Sequence, residues 1–254
     1  MISTIVLDFK TIFSKVIKNC ALYLWNYASE DNQRVIRNFL EKNPDATYLD
    51  CGCWDGEKTL KVAEYIGTKR IIGIEIVTEA AKKASEKGVK VYNHDLNLKF
   101  PLPDESIDVI TADQVIEHLI DIDNFVSEIC RILKANGYAV ICTENLASWH
   151  NIFALLLGNQ PYSGPTISTE KIIGHHPVAP KPSDIERLMP NHTKVFAYNS
   201  LKQIFEEYGF AVMEMEGSGY FPFPYWIGKF FQRLDKKHAM FITIKVKKVR
   251  KEHD

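Results

Sequence analysis

Tyr48-Leu49-Asp50-Cys51-Gly52-Cys53-Trp54-Asp55-Gly56 is an apolar run that reaches a carboxylate and then a glycine-bearing turn. The run predicts a buried strand. Asp50 at its end offers hydrogen-bond acceptors, and Gly52 removes a Cβ so that a ligand can lie against the backbone. Gly56 lets the next element start close to the sheet; that element is expected to be a helix over about residues 57–66, apolar at Leu60, Ala63 and Ile66. Strand, glycine turn and helix in this order form a socket for a nucleotide-like group.

Working outward, a second apolar run, Arg70-Ile71-Ile72-Gly73-Ile74-Glu75, ends in a carboxylate placed to take two ribose hydroxyls. A third, Val89-Lys90-Val91-Tyr92-Asn93-His94-Asp95-Leu96, ends in an acid followed by a leucine, a pair that suits adenine: carboxylate to the exocyclic amine, leucine against the ring. Strand and helix patterns alternate up to Cys142, which predicts a parallel sheet covered on both faces.

Three successive strands that each end in an acid resemble the class I S-adenosylmethionine-dependent methyltransferases. The resemblance runs on through Ile107-Asp108-Val109-Ile110-Thr111-Ala112-Asp113 and Val115-Ile116-Glu117-His118-Leu119. It extends to Phe125-Val126-Ser127-Glu128-Ile129-Cys130-Arg131-Ile132-Leu133-Lys134-Ala135-Asn136-Gly137, similar to that family's helix and turn before its fifth strand. It covers about residues 46–145, in the right order. It implies an α/β, Rossmann-like, seven-stranded and mostly parallel sheet with an antiparallel last strand, helices on both faces, an N-terminal helical segment and an insertion after strand 5. The implied cofactor is S-adenosyl-L-methionine, with S-adenosyl-L-homocysteine as product. Asp50, Gly52, Cys53, Trp54, Gly56, Glu75, Ile76, Asp95, Leu96, Asp113 and Gln114 would hold it, with Asp113 at the methionine end. Two departures stand out. Trp54 occupies the place of the middle glycine of the family's turn, and Ala135-Asn136-Gly137 replaces a more usual Pro-Gly-Gly, where Asn tolerates the left-handed conformation expected of a turn.

The chain has 254 residues and a formal net charge of −1, so no global basic field recruits nucleic acid. Cys20, Cys51, Cys53, Cys130 and Cys142 form no CxxC pair and are expected as free thiols in a reducing cytoplasm. Residues 1–43 read as an N-terminal helical segment packed on the core. Within it Ile5, Phe9, Ile12, Phe13, Val16, Ile17, Cys20 and Leu24 make an amphipathic stripe that can cover the active-site mouth or rest on anionic lipid, giving a cytoplasmic or membrane-peripheral protein. A short helix over about residues 30–42 follows Ser29. Residues 44–254 form the methyltransferase domain, with 146–195 as an acceptor-side insertion or lid. A helix at 199–210, strands at 211–216 and 240–247, and a solvated basic tail from Lys245 to Lys251 complete the reading.

Methyl transfer from a sulfonium asks the protein to position the acceptor in line and remove a proton. His118, after the fourth strand, and His192, after the insertion, are the general-base candidates, with His175 and His176 ranked behind them. Gln114-Val115-Ile116-Glu117-His118 is also similar to the metal-binding helix of small-RNA 3′-terminal 2′-O-methyltransferases. The first acid is Gln114 here, however, which leaves Glu117, His118 and, further along the chain, His192 as a thin shell for a hard cation; with no basic stripe for RNA, metal-assisted RNA 2′-O-methylation stays the alternative reading and no metal is expected. Apolar and aromatic density at 149–157 and 220–231 favours a small-molecule or lipid-linked acceptor, quinone-like for instance. A glycan stacked on Tyr162, Tyr220, Tyr225, Trp149 or Trp226 is the other option, with oxygen preferred to nitrogen as the methylated atom. A non-catalytic scaffold with Trp54 blocking the methyl position is the rival from another class; a nicotinamide dehydrogenase lacks its glycine spacing here.

Overall fold

The computed structural model describes residues 23–165, 167–168, 173–174, 191–221 and 223–249. The stripe of residues 1–22, His175, His176 and the end of the basic tail lie outside the described residues. The strands are β1 (Thr47–Cys51), β2 (Arg70–Glu75), β3 (Lys90–Asn93), β4 (Ile107–Asp113), β5 (Leu133–Glu144), β6 (Phe210–Ser218) and β7 (Phe241–Lys248). They form one seven-stranded sheet in the order β3-β2-β1-β4-β5-β7-β6. β7 alone runs antiparallel, wedged between β5 and β6. The antiparallel strand expected at the end of the chain is therefore interior, and β6 is the edge.

The helices are α1 (residues 23–39), α2 (Glu57–Ile66), α3 (Thr78–Glu86), α4 (Ile122–Ile132), α5 (Trp149–Leu156), α6 (Tyr198–Glu207) and α7 (Tyr225–Leu234). Side-chain alternation along the strands sorts them onto two faces. Leu49, Ile110, Ala139 and Ile141 join Phe125, Ile129, Leu201 and Phe205 of α4 and α6 in one cluster. Their neighbours Tyr48, Val109, Tyr138 and Val140 join Ile36 and Phe39 of α1 and Ala63 and Ile66 of α2 in the other. Both faces are buried, which is why the strands read as continuous apolar runs.

Three local expectations are corrected. The helix expected over residues 30–42 already runs through the described residues 23–39 and ends there, so Ser29 lies inside it and not at its start; Trp25 and Ala28 extend its apolar face onto Phe221 and Phe241. The turn expected at Ala135-Asn136-Gly137 is absorbed into β5, where pairing jumps from Ile107↔Leu133 to Val109↔Tyr138 as an irregular bulge. Asn136 is not left-handed there. Gly137 serves close approach, since a Cβ would stand 2.9 Å from the Asp108 carbonyl oxygen. The start of the basic tail is the end of β7: Lys245 is buried and its Nζ lies 2.7 Å from the Glu41 carboxylate. The insertion leaves and re-enters at one point, where Asn145 bridges Phe196 and Leu146 N–H donates to the Phe196 carbonyl at 2.8 Å.

Candidate functional site

The turn after β1 departs from ordinary backbone at three places. Gly52 (φ 73°), Trp54 (φ 49°) and Gly56 (φ 80°) are all left-handed, so the tryptophan takes the conformation a glycine would take, at a steric cost of roughly 1–2 kcal/mol. Gly52 has no alternative: a Cβ there would stand 2.5 Å from Val115 Cγ2. At Gly56 a Cβ would press to 3.1 Å on Ala84 of α3.

Glu75 explains how the strain is held. Its carboxylate is buried and accepts the Trp54 N–H at 2.9 Å on one oxygen and the Val77 N–H at 2.9 Å on the other. Each oxygen keeps a second acceptor site, so the group can still meet two hydroxyls. Asp50 is more fully used. One oxygen accepts from Thr59 Oγ1 at 2.6 Å and the other from Thr111 Oγ1 at 2.6 Å, which in turn pairs with the Tyr48 hydroxyl. The carboxylate thus ties β1 to α2 and β4. Burial raises its pKa to about 6, against the pull of those two hydroxyls.

Asp50, Gly52, Cys53, Trp54, Glu75, Ile76, Asp95, Leu96, Asp113 and Gln114 line one cavity of about 590 Å³. That size suits a nucleoside carrying an amino-acid tail. Gly56 is absent from the lining and acts through the helix start it permits. Asp95 Oδ1 accepts twice from Asn97, which fixes the loop after β3. Asp113 Oδ2 accepts from Gln33 at 2.6 Å and Lys58 at 2.9 Å, while its buried Oδ1 has no hydrogen-bond partner among the described residues. An acceptor of that kind in a ligand cavity fits an ammonium group. Gln114, left-handed at φ 59°, turns its amide to Cys142 Sγ.

His118 and Leu119 close the other end of the cavity. The segment after the insertion docks there, with Thr193 N–H and Lys194 N–H both donating to the Glu117 carbonyl and Thr193 Oγ1 donating to the Leu119 carbonyl at 2.6 Å. That docking brings the His192 ring edge-on to His118, centroids 4.8 Å apart. His192 Nδ1 lies 3.1 Å from the Ser163 carbonyl oxygen. Beneath them Glu117 accepts from Thr143 Oγ1 at 2.9 Å, and burial raises its pKa to about 8. Burial also raises Glu144, opposed by His192 and by a hydrogen bond from Ser163. Donor atoms of Glu117, His118 and His192 lie within 4.8 Å of one another. These are the three residues that the sequence leaves as a thin metal shell, and the fold brings them together.

Gln33 and Ile36 of α1 and Lys58 of α2 also line the cavity, and the sequence reading missed them. Lys58 sits in the first turn of the helix after the glycine turn, so its place was readable. Gln33 reaches Asp113 across the whole sheet interval and left no local signal.

Comparison with known proteins agrees with this geometry. A family model described as a methyltransferase domain matches residues 24–215. A protein of Mycolicibacterium smegmatis described as a probable S-adenosylmethionine-dependent methyltransferase is 32% identical over 122 residues, 47% of this chain and 46% of that protein. The human mitochondrial ubiquinone biosynthesis O-methyltransferase is 26% identical over 190 residues, 70% of this chain and 45% of that protein. The chain thus spans about half the length of these two relatives. In fold, an S-adenosylmethionine-dependent methyltransferase of Thermotoga maritima superposes with a TM-score of 0.56 at 17% identity, covering 96% of this chain and 95% of that one. The chain belongs to the class I S-adenosylmethionine-dependent methyltransferase family.

Proposed function

We propose that the protein transfers a methyl group from S-adenosylmethionine to an oxygen of a small-molecule or lipid-linked acceptor, with a glycan as the further option within the same chemistry. The observation that carries this reading is the His118–His192 ring pair, with His118 in the wall of the cofactor cavity. When bound, the cofactor supplies a methyl carbon already activated on a sulfonium. Glu75 would accept the ribose hydroxyls. Asp95 would take the adenine amine, with Leu96 and Ile76 against the ring, and Asp113 with Gln114 would hold the amino-acid tail. His118 would accept the proton from the acceptor hydroxyl, held in place by the segment that carries His192. Glu117, whose pKa burial raises to about 8, would keep the floor of the site uncharged near neutrality beneath the imidazole of His118. The partly apolar rim, and a relative named as an O-methyltransferase of ubiquinone biosynthesis, support an oxygen on a greasy molecule.

The test is S-adenosylhomocysteine release with quinols, phenols, lipid-linked alcohols and oligosaccharides supplied as acceptors, followed by mass and NMR analysis of the product. An O-methyl product whose formation collapses in His118→Ala supports the reading. Methylation of nitrogen or carbon, or full activity in that variant, contradicts it.

A further inference from the structure

Helices α5 and α7 both leave large apolar side chains exposed. A helix on a water-soluble surface buries its apolar face and exposes its polar one. In α5 the buried residues are His150, Asn151 and Ala154, whereas Phe153, Leu155, Leu156 and the capping Leu157 are 52%, 53%, 76% and 75% exposed. In α7 Lys229 faces the body and lies 2.8 Å from the Asp31 carboxylate, Gln232 donates to the Gly217 carbonyl at 2.7 Å, and Phe231 stacks on Tyr220. Its outward residues at four-residue spacing are Trp226, Phe230 and Leu234, exposed by 73%, 61% and 69%. One exposed leucine needs no explanation, but two adjoining helices that both expose apolar faces do.

The two faces are neighbours. Trp149 at the start of α5 donates to the Asp235 carboxylate at 3.0 Å just after α7 and stacks on His238 at 4.9 Å. Phe153 packs against the same indole. Arg233, three residues beyond Phe230 on α7, is exposed, and so is Lys237 in the short turn that follows the helix. α7 contains no acidic residue, and Asp235 is turned inward to Trp149 and His238.

We propose that this face docks on an anionic lipid bilayer. The Trp226–Phe230–Leu234 stripe and the α5 leucines would enter the acyl boundary, and Arg233 and Lys237 would meet lipid phosphates. Charge complementarity selects the occupant: an apolar stripe edged by cations, with a tryptophan among the exposed side chains, is the pattern of an interfacial helix. Leu155, Leu156 and Leu157 are consecutive, so they fan around the helix end at about 100° per residue. A fluid phase accommodates that fan better than the groove of a folded partner. Docking also has a route to the site, because Asn151 on the inner side of α5 donates to Ser163 Oγ at 2.8 Å, and the Ser163 carbonyl oxygen meets His192. The proposal goes beyond methyl transfer and does not depend on which acceptor is used.

The experiment is co-sedimentation of the whole chain with phosphatidylcholine vesicles, with and without phosphatidylserine. The wild type is compared with Leu156→Glu/Phe230→Glu and with Arg233→Glu/Lys237→Glu. The expected result is binding to phosphatidylserine vesicles that weakens with salt and falls about tenfold or more in each double variant. Unchanged thermal unfolding and S-adenosylmethionine titration would show that fold and cofactor site are intact in both variants. Equal binding by wild type and variants would move the contact to another segment and overturn the proposal, as would no binding to either vesicle. A wild-type dimer that Leu156→Glu/Phe230→Glu converts to monomer would assign the face to a second copy and overturn it as well.

Discussion

At the cofactor end of the cavity the four acids stand at or just past the ends of strands, each within a few residues of where the sequence announces it. Asp50, Glu75, Asp95 and Asp113 mark β1 to β4 in that way. At the acceptor end the working groups meet across long stretches of chain. His118 follows β4, His192 arrives from beyond the insertion, and two backbone N–H bonds to the Glu117 carbonyl hold them together. Strand-end chemistry is thus repeated and local, while acceptor chemistry is assembled.

The sharpest way to break the comparison is to separate the two ends by mutation. Replacing His118 with alanine is expected to lower kcat by about 10²–10⁴-fold, the usual worth of a general base, with cofactor affinity unchanged. His192→Ala should act in the same direction and less severely, since His192 is placed against His118 by the docked segment. A loss of cofactor affinity in either variant would merge the two ends and remove the distinction.

Asp50 offers a test by pH. Its folded carboxyl is raised from 3.8 to about 6. Its contribution to stability is therefore fully present below about pH 3.8 and is lost as the pH climbs through about 6, a change of ~3 kcal/mol. Unfolding free energies of the wild type and Asp50→Asn, from denaturant titrations, should differ by an amount that shifts in favour of the variant by up to that figure between about pH 4 and pH 7. A constant difference would mean that Asp50 ionises as freely in the fold as outside it.

Glu75→Ala removes the acceptor for two backbone N–H groups and for the ribose, at ~1–3 kcal/mol for each buried group left unpaired. Cofactor affinity is expected to fall at least tenfold, and the melting temperature should fall with it. The smallest effect belongs to Trp54→Gly. Glycine adopts φ 49° without the cost that an L side chain incurs, but loses more backbone entropy on folding, so stability should change by no more than about 1 kcal/mol. Cofactor binding should persist or tighten. If Trp54→Gly instead created binding where the wild type had none, the indole would be a plug.

The same contrast explains how much the sequence disclosed. The alternation of strands and helices, the residues at the β1 to β4 ends and the span of α2 follow from periodicity and glycine placement, and all appear where expected. The interior position of β7 did not, because nothing local in Phe241–Lys248 says which neighbours it will pair with. The role of Asp50 shifted from open acceptor to a knot with Thr59, in the first turn of α2, and with Thr111 across the sheet. Gln33 was invisible for the same reason. His118 and His192 could be named from their places after a strand and after the insertion, but only the fold brings them ring to ring. The exposed apolar faces of α5 and α7 were also hidden, since an apolar stretch reads as core until its burial is known.

The most direct test of the central claim is isothermal titration of the purified chain with S-adenosylmethionine and with S-adenosylhomocysteine, repeated on Glu75→Ala. The account predicts micromolar binding of both ligands by the wild type and its loss in the variant. Absence of heat with either ligand, while the chain unfolds cooperatively as a folded protein, would contradict it.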